Sequence, residues 1–252
     1  MEPEEYARIH HHEQRHFWYR GVHALFTGAL ARALPGGPLR LLDAGCGTGG
    51  LLESIGRRFP AARRFGFDLS PHALRFAPGR AAAPLLQASI ERVPFRDGAF
   101  DAVVSADVLY HRAVADDAAA LAELARVTRP GGVVLLNLPA HRDLYGAHDA
   151  FVHTQRRYER ADVERIAAAA GLAVERLCWF NSALFPLARA RRRRTRAAAA
   201  ASDVALPLAP VNALLSAWLR FEAWWTLRAP LPTGLSLFAI LRRPGPPVAP
   251  AR

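Results

Sequence analysis

Ten residues, Leu41-Leu42-Asp43-Ala44-Gly45-Cys46-Gly47-Thr48-Gly49-Gly50, hold the densest chemistry in this chain. An apolar run ends in an acid, a glycine-rich turn follows, and a helix is predicted to open at Leu51. Glycine tolerates positive φ and, without a Cβ, lets backbone approach a ligand closely. Free N–H groups at the start of the helix add a partial positive field for a polar ligand end. A strand, turn and helix of this kind read as a nucleotide-binding loop. Gly45, Gly47 and Gly50 satisfy G-x-G-x-x-G, a spacing used for dinucleotides. Asp68, after the apolar Phe65-Gly66-Phe67, stands where an acid would take ribose hydroxyls. Asp43 tilts the choice of ligand: it would face a pyrophosphate with the wrong sign, but it suits a ligand carrying an ammonium group.

A second cluster follows a later apolar strand. It runs Pro139-Ala140-His141-Arg142-Asp143-Leu144-Tyr145-Gly146-Ala147-His148-Asp149 and then His153-Thr154-Gln155-Arg156-Arg157-Tyr158. In open α/β sheets ligands bind beyond the carboxyl ends of the strands, so this stretch leaves the sheet on the ligand side. Histidine can act as a general base near neutral pH. His111, His141, His148 and His153 are therefore candidates, with His148 first and His111 second as catalytic residues. His141, Tyr145, His153, Arg156, Arg157 and Tyr158 are candidate substrate contacts. The arginines suit either an anionic substrate or nearby acids. His10, His11 and His12 are adjacent rather than spaced along a helix, so no metal site is expected.

These groups need a scaffold. From residue 39 to 138 strands and helices alternate, as expected for a parallel sheet covered on both faces. The first 38 residues read as a helical cap containing His16-Phe17-Trp18-Tyr19-Arg20. A helix is predicted over 160–170, a strand over 173–180 and a last strand over 235–241. The Pro-rich stretch from Pro244 to Arg252 reads as disordered.

Asp43 to Gly49 resembles the first motif of class I S-adenosylmethionine-dependent methyltransferases. Four further stretches resemble the same family: Asp68 to Pro71, Leu85 to Phe95, Phe100 to His111, and Leu121 to Asn137. Together they span residues 39 to 140. The His-Phe-Trp-Tyr-Arg and His-Thr-x-Arg-Arg-Tyr elements resemble a small-molecule subgroup. The resemblance implies a Rossmann-like α/β fold, with a seven-stranded, mostly parallel sheet and an antiparallel last strand. It implies S-adenosylmethionine as cofactor and S-adenosylhomocysteine as product. In that frame Gly45, Cys46 and Gly47 lie under the methionine part and Asp43 orients it. Asp68 and Leu69 take the ribose, and Ser89 and Ile90 flank the adenine. The family often has an acid where Ser89 stands, and a hydroxyl there accepts one hydrogen bond. Ser105, Ala106 and Asp107 would meet the methionine amino group, with Trp18 and Tyr19 on the cofactor side. Asp107 also reads as a helix N-cap.

Composition narrows the partners. The net charge is +11, all 33 basic residues are arginine, and the excess falls mainly after residue 180. A nearly neutral core argues against a surface built for nucleic acid. A nucleic-acid methyltransferase is also disfavoured by Ala106-Asp107-Val108-Leu109, which is not a proline-rich box, and by cysteines that do not follow proline. The expected function is methyl transfer to a small molecule: a natural product, a sugar or a lipid-linked acceptor. A non-catalytic cofactor-binding protein is a further alternative. The acidic start, two cysteines and lack of an eighteen-residue apolar run predict a cytoplasmic protein.

About fifty residues separate the last two strands, too many for a hairpin loop. This helical insertion, at about 181–234, holds Arg189 and Arg191 to Arg194. A helical wheel from Val211 to Arg228 gathers Val211, Leu214, Leu215, Trp218, Leu219, Phe221 and Trp225 on one face. Glu222 falls inside that stripe, where burial in lipid would be costly. The expectation is a lid over the active site with Glu222 facing substrate or an arginine. Peripheral membrane contact is the second reading.

Overall fold

Leu41, Leu42, Val103, Val104, Val134, Leu135 and Leu136 are almost completely buried, because their strands are covered on both faces. In the computed structural model, residues 3–34, 36, 39–194 and 206–245 are described. The chain begins with α1 (Pro3–His12) and α2 (Phe17–Ala33), followed by β1 (Arg40–Ala44), α3 (Gly50–Arg58) and β2 (Arg63–Asp68). Next come α4 (Pro71–Phe76), α5 (Pro78–Ala81), β3 (Leu85–Gln87), β4 (Phe100–Ala106), α6 (Asp117–Val127) and β5 (Thr128–Pro139). The remainder is α7 (Ala147–Phe151), α8 (Arg160–Ala169), β6 (Ala173–Phe180), α9 (Phe185–Arg194), α10 (Ala209–Thr226) and β7 (Ser236–Arg242).

All seven strands join one sheet in the order β3-β2-β1-β4-β5-β7-β6. Six run the same way, and β7 pairs antiparallel with β5 and β6. This is the Rossmann-like sheet that the resemblance implies. Strand order reverses between β1 and β4, so the crevice beyond their carboxyl ends is the natural ligand site. One face packs on α6 and α8 through Leu121, Leu124, Val163 and Ile166. The other packs on α2, α3 and α10 through Leu25, Phe26, Ile55 and Leu219.

Local chemistry sets the element starts. Ser70 caps α4, accepting from the N–H of Ala73, with Pro71 at the first helical position. Asp116 caps α6 through the N–H groups of Ala118 and Ala119. Asp107 caps no helix: it takes a left-handed conformation at φ 59°.

The two helices of the insertion take different places. α9 lines the cavity described below with Leu184, which directly precedes it, and with Leu187 and Ala188. α10 lies along α2 instead, where a Cβ on Gly21 would come within 2.7 Å of the Leu219 Cβ. Asn212 fastens this pair, accepting from the Phe17 N–H at 3.0 Å and donating to the Arg15 carbonyl at 2.8 Å. The wheel therefore needs correction. Ser216, Leu219, Glu222, Ala223 and Thr226 form the buried face, while Val211, Leu214, Trp218, Phe221 and Trp225 face outward. The helix is apolar on nearly all sides, so the centre of its apolar stripe does not identify the packed side. The side chains of Arg191 to Arg194, and the tail from residue 246 onward, lie outside the described residues.

Candidate active site

β1 carries Asp43 to the crevice, where the chain turns at Gly45 with φ 86°. A Cβ there would meet the Val108 Cγ2 at 2.4 Å, so only glycine fits. The N–H groups of Gly45 and Cys46 both donate to the Phe67 carbonyl, at 2.8 and 2.9 Å. Gly47 donates to the Asp68 Oδ2 at 2.9 Å, and Ser70 to its Oδ1 at 2.8 Å. The turn is thus stapled to the end of β2, and these N–H groups do not form a free phosphate cradle.

Nor is the helix N-terminus open to an anion. Glu13, in the link between α1 and α2, is buried against it, accepting from the Thr48 hydroxyl and from Arg80 at 2.9 Å. A Cβ on Gly50 would lie 2.1 Å from the Glu13 Cδ. A carboxylate of the protein therefore occupies the place that a pyrophosphate takes at such a helix start. The third glycine of G-x-G-x-x-G makes room for Glu13, which removes the dinucleotide reading.

A cavity of about 830 Å³ runs from this turn along the carboxyl edge of the sheet. Asp43, Asp68 and Glu13 all border it. Burial pushes the Asp43 carboxyl well above its usual range, reinforced by the charges of Asp68 and Glu13. Its Oδ2 is buried with no hydrogen-bond partner. Such a carboxylate fits a cationic ligand, and an α-ammonium or sulfonium group supplies the missing charge. Ser89 and Ile90 line the same cavity, as do Trp18 and Tyr19 of α2.

Beside the turn, at the carboxyl end of β4, the cavity is bordered by strained and titratable groups. Asp107 is held by the Asn137 side-chain amide, which donates to Oδ1 at 3.0 Å. Burial raises its carboxyl to about 7. Tyr110 and Tyr19 lie nearby, and burial pushes both phenols upward so that they stay protonated. His148 and His111 reach the cavity from α7 and from the turn after β4. Burial lowers His111 to about 4, keeping its ring neutral. Its Nδ1 accepts the N–H of Ala113 at 3.1 Å, which leaves the ring proton on Nε2. His111 is therefore a donor to the cavity rather than a base.

Of the expected cofactor residues, Trp18, Tyr19, Asp43, Gly45, Cys46, Gly47, Asp68, Leu69, Ser89, Ile90, Ala106 and Asp107 all line the cavity. Ser105 does not. It is buried, and its hydroxyl donates to the Ala44 carbonyl at 2.9 Å, joining β4 to β1. Among the expected substrate residues only Arg157 reaches the cavity, and it is buried in a bond to Asp149 at 2.9 Å. Arg156 pairs with Asp117, and Tyr158 donates to the same carboxylate at 2.9 Å. Tyr145 donates to the Thr154 carbonyl at 3.0 Å. His141 stacks on Trp179, its Nε2 3.1 Å from the Thr233 hydroxyl. His153 lies beside His111, ring centres 5.7 Å apart and the ring planes tilted by 54°. Glu222 accepts the Ser182 N–H at 2.7 Å, tying α10 to the end of β6. These six build the frame around the cavity without lining it. Among the described residues no group of three or more histidine, cysteine, aspartate or glutamate side chains is arranged to hold a metal ion.

Sequence reasoning missed Glu13, and with it Tyr6 and Ile9 of α1, which also line the cavity. Their spacing along the first helical stretch was the available signal. Tyr110 and Asn181 were missed as well, the latter in a left-handed conformation at φ 61°.

The sheet order, the stapled glycine turn and the crevice together define a Rossmann-like methyltransferase fold. Residues 42–136 match the family model described as a methyltransferase domain. The malonyl-[acyl-carrier protein] O-methyltransferase of Dechloromonas aromatica is 35% identical over 157 residues, 57% of this chain and 56% of that protein. The chain spans about half the length of the curated relatives it matches. A chain in the Haloferax volcanii complex of the Trm112 methyltransferase activator with a methyltransferase superposes with TM-score 0.61 at 21% identity, over 94% of both chains. Geranyl diphosphate C-methyltransferase of Streptomyces coelicolor A3(2), solved with Mg2+, geranyl diphosphate and S-adenosylhomocysteine, superposes with TM-score 0.58 at 18% identity, over 86% of this chain and 78% of that one. The two superpositions speak for the fold. The family model and the curated relative show that residues 42–136 are similar to a methyltransferase domain.

Proposed function

We propose that this chain transfers a methyl group from S-adenosylmethionine to a small-molecule acceptor held at the Asp107 end of the cavity. The observation that carries the reading is the partnerless Asp43 oxygen, in a crevice whose anion position is already filled by Glu13. A cationic ligand satisfies it and a dinucleotide does not. When bound, S-adenosylmethionine supplies an electrophilic methyl on a sulfonium. Asp43 holds the methionine ammonium group, Asp68 the ribose hydroxyls, and Ser89 and Ile90 the adenine. Positioning alone can supply about 7–11 kcal/mol of barrier reduction.

Asp107 takes the proton that an acceptor hydroxyl or amine loses as its oxygen or nitrogen bonds to the methyl carbon. The carbon–sulfur bonding pair stays on sulfur. A carboxyl titrating near 7 suits a base at neutral pH. Tyr110 and the His111 Nε2–H orient the acceptor by donating hydrogen bonds, and His148 is the second candidate base. Leu184, Leu187 and Ala188 add apolar surface to the cavity, which favours an acceptor with an apolar body. Relatives named for an acyl-carrier substrate and for geranyl diphosphate support this class.

The test is mass-spectrometric detection of S-adenosylhomocysteine after incubation with S-adenosylmethionine and fractionated small-molecule extract. Product that depends on one fraction supports transfer. Tight cofactor binding with no product in any fraction would favour the non-catalytic alternative.

A further inference from the structure

The outer face of α10 is the largest feature the site does not use. Leu214, Trp218, Phe221, Trp224 and Trp225 are between 42% and 71% exposed, and the four aromatic rings pack on one another. Exposed apolar patches of this size mark interaction surfaces. Glu222, the residue that argued against lipid, lies at the edge of this face one turn from Trp218, but it is 4% exposed and its carboxylate accepts from the Ser182 N–H and the Trp218 side chain. It is the only acid between residues 206 and 234, so this segment presents no exposed carboxylate.

The charges around the face are positive. Arg220 projects from α10 and Arg228 from the turn just after it, where its guanidinium lies 4.1 Å over the Trp224 ring. Arg15 borders the N-terminal end, its carbonyl bonded to Asn212, and Arg176 reaches the Thr226 carbonyl at the C-terminal end. The same insertion supplies Arg189 and, in sequence, Arg191 to Arg194. Among the described residues no helix is long and apolar enough to cross a membrane. An aromatic stripe flanked by arginine on a helix that does not span is the pattern of an interfacial contact.

We propose that the outer face of α10 seats on an anionic phospholipid surface, with Trp218, Phe221, Trp224 and Trp225 entering the headgroup boundary and the bordering arginines pairing with lipid phosphates. A second copy of the chain is the poorer occupant, because its own ring of arginines would meet this one. The inference is independent of the methyl-transfer reading.

The experiment is cosedimentation of the whole chain with phosphatidylcholine vesicles made with and without phosphatidylglycerol. Binding is expected to be more than tenfold stronger with the anionic lipid and to bring a blue shift in tryptophan emission. Trp218→Ser/Phe221→Ser/Trp225→Ser abolishes it, and Arg220→Ala and Arg228→Ala each weaken it about fivefold. All these positions are exposed, so circular-dichroism melting should match the parent protein. Absence of binding to the anionic vesicles, or binding that the triple substitution leaves intact, overturns the proposal. So does a dimer in sedimentation equilibrium that the triple substitution converts to monomer, which would assign the face to a second copy.

Discussion

Asp43, Asp68 and Glu13 crowd three carboxyl groups around one crevice, and a single added cation relieves all three. Because burial raises the Asp43 pKa, a bound cation should pull its proton off. S-adenosylmethionine affinity is therefore expected to rise with pH, with proton release visible by calorimetry in buffers of different ionisation enthalpy. Asp68→Ala should weaken the cofactor by roughly 10-fold to 100-fold, the value of one or two hydrogen bonds to a charged group. Asp107→Asn should lower turnover about 100-fold or more and remove the rise in kcat/KM with an inflection near pH 7. A profile unchanged by that substitution would move the base to His148. Asp107 and Asn181 hold left-handed backbone at the cavity wall, and His141 and His153 do so beside it. Such conformations cost about 1–3 kcal/mol each and collect at functional sites.

At the scale of elements, the contact of Glu13 with α3 decides how the N-terminal helices sit. Gly50→Ala should push the Glu13 carboxyl away and destabilise the fold by about 1–3 kcal/mol, as overpacking does. Adding Glu13→Ala should recover part of that loss, and a double-mutant cycle by denaturant melting measures the coupling. The motifs of β1 to β5 were legible because each couples an apolar run to a polar or glycine end at fixed spacing. Glu13 was not, because its role depends on a contact across 35 residues with Thr48. The second histidine- and arginine-rich stretch shows the opposite failure. Its density of titratable groups was real, but Tyr145, Arg156 and Tyr158 spend their polar atoms on neighbouring carbonyls and on Asp117. Sequence spacing does not reveal which side of such a loop faces a cavity. α10 failed for a related reason, since a helix apolar on both sides gives no phase. Glu222→Ala should cost about 1–3 kcal/mol by leaving the Ser182 N–H without its acceptor.

At the scale of the molecule, sheet order and strand direction followed from the alternation of strands and helices together with the family resemblance. The insertion had to be seen in three dimensions before its two helices separated into a cavity wall and an outer surface. Stability carries its own pH signature. His23, buried at the cavity wall and 3.0 Å from the Ser54 hydroxyl, is depressed to about 3 by burial and by Arg80 and Arg57. The unfolded chain binds that proton near pH 6.5, so between about 6.5 and 3 it holds more protons than the native state. Stability contributed by neutral His23 is therefore present above pH 6.5 and lost on acidification. Thermal melting of His23→Gln should fall less steeply between pH 7 and 5 than that of the parent.

The central claim is that the glycine turn serves a cationic nucleoside and not a dinucleotide. Calorimetric titration with S-adenosylmethionine, and separately with NAD, tests it most directly. The account predicts one S-adenosylmethionine site, weakened by Asp43→Asn and Asp68→Ala, and no heat from NAD. Saturable NAD binding with none for S-adenosylmethionine would contradict it.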